Sequence, residues 1–448
     1  MSSLLARAAF WRAVCARALL GRIVLLARIA LLTCAALLHG TATLAQPTGS
    51  SSDPTGDLTL ARAIDAALRG NPDLRASSYE LSAAQARIVQ AGLRPNPELG
   101  IQWENFAGTG ATRGTRALET TLSLSQVVEL GSKRDRRQSV ALADSDLVSI
   151  AQRARELDVL ANVTSRFIDV VAAQERARFS AEATALTQKM LDAIDARVTA
   201  GRSPEAERSR ARIALTRAQV EQRQADSELR SARCTLSASW GRPEPAFSTA
   251  TADLFELRSV APLPALLRQL EQSPDFIKFA SEGRLREAEL RLARAQTRPD
   301  LTFSLGVRRF EAGSDAALVA GLSMPLPLYD RNQGAIREAQ ARLSQNVAQQ
   351  EAAFVTARAA LFALYQGMTA ARERVTTLRS EALPQAQQAL DQTRNGYERG
   401  RFSFLELSTA QEELLALKSA VIDAAADYHR LLTEVERLTN TALSTPIQ

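Results

Sequence analysis

The sequence predicts a mainly α protein bearing part of a membrane β-barrel, with four strands per chain (twelve in a trimer) on a long α-helical barrel. Three observations predict it. Residues 133–200 contain neither Gly nor Pro. Four segments of roughly ten residues alternate apolar with small or polar side chains, a length that crosses an outer membrane at a tilt. This plan of helix, two strands and long helix occurs twice along the 448 residues.

The chain opens with Arg7, Arg12, Arg17, Arg22 and Arg28 in an otherwise apolar stretch without acids. An apolar core from Ile29 to Leu38 and small residues ending at Ala45 follow. That order is a secretory signal peptide, expected over residues 1–45. Leu31-Leu32-Thr33-Cys34 leaves lipidation of Cys34 open, and a retained anchor is the other alternative. The full chain has net charge +6, and all five charges of the signal are Arg, so the rest is near +1. The basic balance therefore gives no reason to expect nucleic acid. Beyond the signal only Cys234 and His429 remain of their types. One of each makes neither an intrachain disulfide nor a usual zinc or copper site, so both are expected in helix packing.

Residues 46–57 read as a linker rich in Pro, Gly and Ser. A first unit over 58–245 and a second over 262–442, joined by a linker at 246–261 and followed by a tail at 443–448, then share landmarks. Asn71-Pro72-Asp73 corresponds to Ser273-Pro274-Asp275, Pro97 to Pro299, Leu122-Ser123 to Leu322-Ser323, and Gly201-Arg202 to Gly400-Arg401. The order is kept, as in an old duplication. Helices are expected from Pro72 and from Pro274, with Pro in the first turn where its missing N–H costs nothing. Strands are expected over about 97–106, 117–127, 299–310 and 317–326 from their period of two. Their hairpin connections, 107–116 and 311–316, are polar.

In the first long helix Leu147, Ile150, Ala154, Leu157, Ala161, Thr164, Ile168 and Val171 form one apolar seam, and Leu160, Val163, Phe167 and Val170 a second. Two seams place a helix between two neighbours. At 1.5 Å per residue it is about 100 Å long, close to the summed lengths of the helix before the strands and the return helix after Pro204. In the second unit Pro384 predicts a bend, or alternatively the start of a new helix.

Four strands cannot close a membrane barrel, and an open edge in lipid leaves backbone groups unsatisfied. Several chains must share one. Two would give eight strands filled with side chains, three would give twelve and a lumen. A soluble hairpin beside a coiled coil is the alternative. Asp192 and Asp391 occupy equivalent places before the two turns, so three chains could set a ring of carboxylates in the lumen; two solvated helix acids are the other reading.

The segments Glu129-Leu130-Gly131-Ser132-Lys133-Arg134 and Pro325-Leu326-Pro327-Leu328-Tyr329-Asp330-Arg331-Asn332-Gln333-Gly334 resemble the strand-to-helix junctions of the TolC-like outer-membrane efflux family, in its heavy-metal (cobalt–zinc–cadmium resistance) branch. Tyr397-Glu398-Arg399-Gly400-Arg401-Phe402-Ser403 resembles that branch's second periplasmic turn. Ser132 departs from the branch, which usually has a second Gly there. The resemblance covers about residues 58–442. It implies a homotrimer in outer-membrane lipid with a helical barrel in the periplasm, docked to a periplasmic adaptor and an inner-membrane pump of the resistance–nodulation–division class. The duct would be passive, exporting heavy-metal cations; a drug-efflux or type I secretion duct is the alternative.

Candidate docking residues are Gly201, Arg202 and Ser203 with Gly400, Arg401, Phe402 and Ser403, where Gly permits reversal and Arg and Phe are common interface anchors. Candidate junction residues are Glu129, Gly131, Lys133, Asp330, Asn332 and Gly334, with Glu129 and Lys133 near enough for an ion pair. No nucleophile motif, phosphate loop or paired-His helix is present. Neither an enzyme nor a cofactor is expected.

Overall fold

The structure, a computed structural model, describes residues 53–441. The expected signal peptide, the first part of the 46–57 linker and the 443–448 tail lie outside the described residues. The first half comprises β1 (Gly56–Leu58), α1 (Leu60–Gly70), α2 (Pro72–Ala91), β2 (Glu98–Glu104), β3 (Glu119–Val128), α3 (Lys133–Thr199) and α4 (Glu205–Ser237). The second comprises β4 (Phe247–Ala250), α5 (Leu263–Leu270), α6 (Pro274–Ala295), β5 (Leu301–Phe310), β6 (Asp315–Ser323), α7 (Gln333–Thr377), α8 (Leu383–Glu398) and α9 (Phe404–Thr439). No described helix is long and apolar enough to cross a membrane.

The 67-residue α3 runs unbroken, as its lack of Gly and Pro requires, and spans about 100 Å. Its two seams are buried at Ile150, Ala161, Thr164, Ile168 and Val171, and at Val163, Phe167 and Val170. Each flank is covered by two shorter helices. On one side Arg87 and Glu80 of α2 pair with Asp144 and Arg155 near the start of α3, at 2.8 and 2.6 Å. Further along, Thr184 donates to the Ala218 carbonyl of α4 at 3.1 Å. The two short helices meet end to end, because Asn71, which caps α2, also donates through Nδ2 to the Ser239 carbonyl just beyond α4 (2.8 Å). On the other side α6 and α9 abut where Arg437 of α9 grips Asp275 of α6 (2.6 Å) and Asp158 of α3. Arg430–Asp169 and Arg176–Asp423 continue the seam between α3 and α9.

Among the described residues, both expected linkers contribute a short strand to the fold. Gly56–Leu58 and Phe247–Ala250 pair in parallel, and Leu58, Phe247 and Ala250 are buried with Phe167, Trp240 and Ala425 in the central core. Three- and four-residue strands are too short to show a period, and their partners lie about 190 residues apart. Cys234, expected in packing, is exposed. His429 is buried, its Nε2 2.9 Å from the Leu254 carbonyl, and burial lowers its pKa.

The strands β2, β3, β5 and β6, of seven, ten, ten and nine residues, form one antiparallel sheet in the order β2-β3-β5-β6. Proline sets three of its boundaries. Pro97 and Pro299, expected inside strands, cannot donate to a ladder, so β2 begins at Glu98 and β5 at Leu301; β6 ends at Ser323, before Pro325. Asp315 and Ala316, expected in the second hairpin, extend β6 by pairing with Phe310 and Arg309.

The long helix of the second half is interrupted. Residues Leu378–Ala382 form one π-helical turn before Pro384, which falls in the first turn of α8. The flanking residues stay right-handed helical. The extra residue of the π turn accommodates a ring that would otherwise collide with the carbonyl one turn back.

Near the end of α9, burial pushes the Glu436 carboxyl up to about 7, against the pull of Arg258. A carboxyl raised above its ordinary 4.5 favours the folded state while protonated. That contribution is full below 4.5 and is lost as pH rises to about 7. Glu436→Gln is therefore expected to raise the unfolding temperature at pH 8 by a few degrees and to leave it unchanged at pH 4; an equal shift at both would show that titration is not the cause.

Candidate functional site

Three regions carry the candidate residues: the sheet, its junctions with the helices, and the two helix reversals. The register of the sheet aligns Leu99, Leu124, Leu305 and Ala320 in one cross-strand row, and Ile101, Leu122, Val307 and Leu318 in the next. These large side chains are exposed, up to 80% for Leu318. The opposite face carries Gln102, Thr121, Ser123, Ser304 and Gly306. It also holds Arg308, which donates to Thr121 Oγ1 and Glu119 (both 2.9 Å) and pairs with Glu104 at 2.8 Å. This clip across β2, β3 and β5 was legible only as a lone Arg in the polar register of a strand.

Both junctions force a left-handed backbone. Gly131 has φ +77°, and a Cβ there would lie 2.8 Å from Arg298 Cδ and 3.2 Å from the Ala295 carbonyl. Ser132 follows at φ 56°, and Asn332 holds the matching place before α7 at φ 58°. Asn332 tolerates it by donating to the Ala293 carbonyl (2.7 Å), while its N–H binds Asp330 Oδ1 (2.8 Å). Gly334, inside the first turn of α7, has open space around it. Ser132 has no such compensation. Ser132→Gly is expected to stabilise the chain by about 0.5–1 kcal/mol, measured as a higher dissociation or unfolding temperature.

The expected pair of Glu129 with Lys133 does not form. Glu129 takes the Arg137 guanidinium in a two-pronged contact, and Lys133 reaches across to Asp300 at 2.7 Å. Asp300 also accepts the Leu130 N–H at 3.1 Å, so Lys133 fastens α3 to the entry of β5. The Glu129 contact raises the Arg137 pKa further.

The reversals are alike. Gly201 (φ +67°) donates to the Val198 carbonyl and Arg202 N–H to Arg197; Gly400 (φ +72°) donates to Tyr397 and Arg401 N–H to Gly396, all at 2.8–2.9 Å. Both are Schellman caps, which need a left-handed residue after the helix. Ser403 and Glu406 then form a capping box that starts α9, and the Ser403 backbone N–H holds Glu406 below its ordinary pKa. Ser203 instead accepts from Arg197 Nε at 3.2 Å. Phe402, 43% exposed, lies so close over Gly396 that any side chain there would strike its ring. The guanidinium groups of Arg202 and Arg401 are exposed and, among the described residues, make no hydrogen bond or ion pair.

Sequence reasoning missed the tie between the two reversals. Arg197 stacks on the Tyr397 ring (4.7 Å) and donates to the Tyr397 carbonyl at 3.4 Å, while Tyr397 Oη donates to Glu207 at 3.2 Å. Burial, then the Glu207 charge, raises the Tyr397 pKa. Its signal was the single Tyr before the second turn. Asp192 accepts from Gln188 (2.8 Å), and Asp391 from Gln387 (3.4 Å) with Arg394 at 3.7 Å. Each acid is thus engaged by its own helix, and the two do not bond to each other. Among the described residues no group of three or more His, Cys, Asp or Glu could hold a metal ion.

Residues 63–242 and 266–441 match the family described as "Outer membrane efflux protein". The chain belongs to that family. This efflux protein is 31% identical to the cobalt-zinc-cadmium resistance protein CzcC of Cupriavidus metallidurans over 402 residues, covering 87% of this chain and 93% of the relative. Its fold resembles the crystal structure of the channel CusC with TM-score 0.74 at 20% identity, covering 87% of this chain and 95% of that one. It also resembles the outer-membrane protein VceC of Vibrio cholerae with TM-score 0.69 at 20% identity, covering 86% and 97%. The fold is that of TolC-like outer-membrane channels, and this family member is an outer-membrane efflux component, not an enzyme.

Proposed function

We propose that three copies of this efflux protein close a twelve-stranded barrel in the outer membrane on a helical tube, as the passive duct of a tripartite system exporting heavy-metal cations. The observation that carries this reading is the sheet. One face is apolar and exposed through its central rows, the other carries mostly small and polar side chains, and β2 and β6 end the sheet with edges unpaired among the described residues. In lipid such edges must be paired, and four strands are too few to close alone. The matching junctions and reversals support two duplicated units, approximately 58–245 and 262–442. Metal cargo is supported by the likeness to CzcC. In the assembled system Gly201, Arg202, Ser203, Gly400, Arg401, Phe402 and Ser403 meet a periplasmic adaptor and a pump of the resistance–nodulation–division class. Asp192 and Asp391 then ring the lumen above them.

Deletion of the gene tests the cargo and planar bilayers test the duct. Deletion should sensitise cells to zinc, cobalt or cadmium; unchanged metal tolerance with new drug sensitivity would move the reading to drug efflux. The purified protein should conduct as a trimer with a cation preference that Asp192→Asn with Asp391→Asn reduces. A soluble monomer without conductance would end the duct reading.

A further inference from the structure

Charge is segregated at the sheet–helix junctions. Across residues 93–96, 129–137, 297–300 and 329–337, eight basic side chains face four acidic ones, whereas the chain beyond the signal is nearly neutral. The acids there are already engaged: Glu129 by Arg137, Asp300 by Lys133, Asp135 by Arg134, and Asp330 by the Asn332 N–H. Arg94, Arg136, Arg298, Arg331 and Arg337 are exposed, and among the described residues their guanidinium groups have no hydrogen bond or ion pair. Helix ends add little, because the first turns of α3 and α7 lie beside the last turns of α2 and α6.

These arginines share their level with exposed apolar side chains: Leu93, Leu326, Leu328 and Tyr329, the last 91% exposed. Arg94 and Arg134 line one cleft of about 460 Å³ with Lys133 and Gln126. The apolar face of the sheet begins directly beyond, at Leu99, Leu124, Phe303 and Leu322. Side chains with apolar stems and charged or phenolic tips, set where an apolar surface ends, are what a bilayer's headgroup layer accommodates.

We propose that this belt binds anionic phospholipid headgroups of the leaflet facing the helices, so that the barrel is seated by charge as well as by apolar matching. The unengaged guanidinium groups supply the phosphate contacts, and Leu328 and Tyr329 enter the acyl boundary. The inference rests on the barrel reading above for its placement in the membrane.

The test uses the full-length trimer in detergent, offered equal amounts of phosphatidylglycerol and phosphatidylcholine with identical acyl chains, and retained lipid is counted by native mass spectrometry. The wild type should retain phosphatidylglycerol at least about fivefold over phosphatidylcholine, the factor one basic side chain near an anionic surface supplies. The Arg94→Gln, Arg298→Gln, Arg331→Gln triple variant should lose this preference, and the corresponding Lys triple should keep it. Among the described residues none of the three makes a guanidinium bond, and each single variant offers the same readout if the triple assembles poorly. Equal retention of both lipids by the wild type, or undiminished preference in the Gln triple, overturns the proposal. So does a changed ion selectivity of the Gln triple with its lipid preference intact, which would place the arginines in the lumen. Bilayer conductance of the wild type is read separately: its absence counts against the duct, not against the lipid preference.

Discussion

Leu305→Arg is expected to abolish assembly in the membrane, whereas Gln102→Arg, on the other face of the same sheet, is expected to be tolerated. Leu305 lies mid-strand between Leu124 and Ala320 on the exposed apolar face. A charged side chain at the bilayer midplane of a barrel costs about 2–4 kcal/mol per chain, and a trimer carries it three times. That is comparable with a typical folding stability of 5–15 kcal/mol. Gln102 pairs with Thr121 on the polar face, where Arg308 is already accommodated by Glu104 and Glu119. The measurement is the fraction of heat-modifiable trimer in outer-membrane fractions. Equal tolerance of both substitutions would show that the apolar face does not meet lipid.

The second large effect is expected at the reversals. Arg202→Glu combined with Arg401→Glu should reduce metal tolerance to that of a deletion strain while trimer abundance stays normal. The turns themselves should survive, because their Schellman bonds use backbone N–H and C=O groups and their left-handed positions are Gly201 and Gly400. Both side chains are exposed and, among the described residues, their guanidinium groups have no partner. Loss of an interface anchor costs about 2 kcal/mol or more, and like charges set against each other cost further, so two reversals weaken docking by more than about 100-fold. Full tolerance in the double variant would show that the arginines are only solvated. Phe402 is a less clean probe, since its ring also packs on Gly396.

The parts legible in the sequence are those governed by local chemistry. Freedom from Gly and Pro set the extent of α3 to within a residue at its C-terminus, and both seams along it are buried for most of their length. Period two located all four strands of the sheet, though Pro97, Pro299 and Pro325 trim three of them. The turn residues were found because Gly201 and Gly400 must be left-handed. Even the odd residue of the first junction, Ser132, lies at the left-handed angle a second Gly would occupy without strain.

What the sequence could not show depends on partners distant along the chain. Glu129 and Lys133 were near enough to pair, yet Arg137 and Asp300 take them, because an ion pair is decided by which helix and strand ends converge. The small sheet of Gly56–Leu58 with Phe247–Ala250, the tie from Arg197 through Tyr397 to Glu207, and the clip at Arg308 are of the same kind. By itself the sequence determined helix extents, strand alternation and the places of reversal, since backbone sterics and periodicity act over a few residues. Only the tertiary structure decided which charges neutralise one another and which stay free, since that depends on helices and strands packed far apart in sequence. The unengaged arginines at the sheet–helix junctions are the outcome of that second decision.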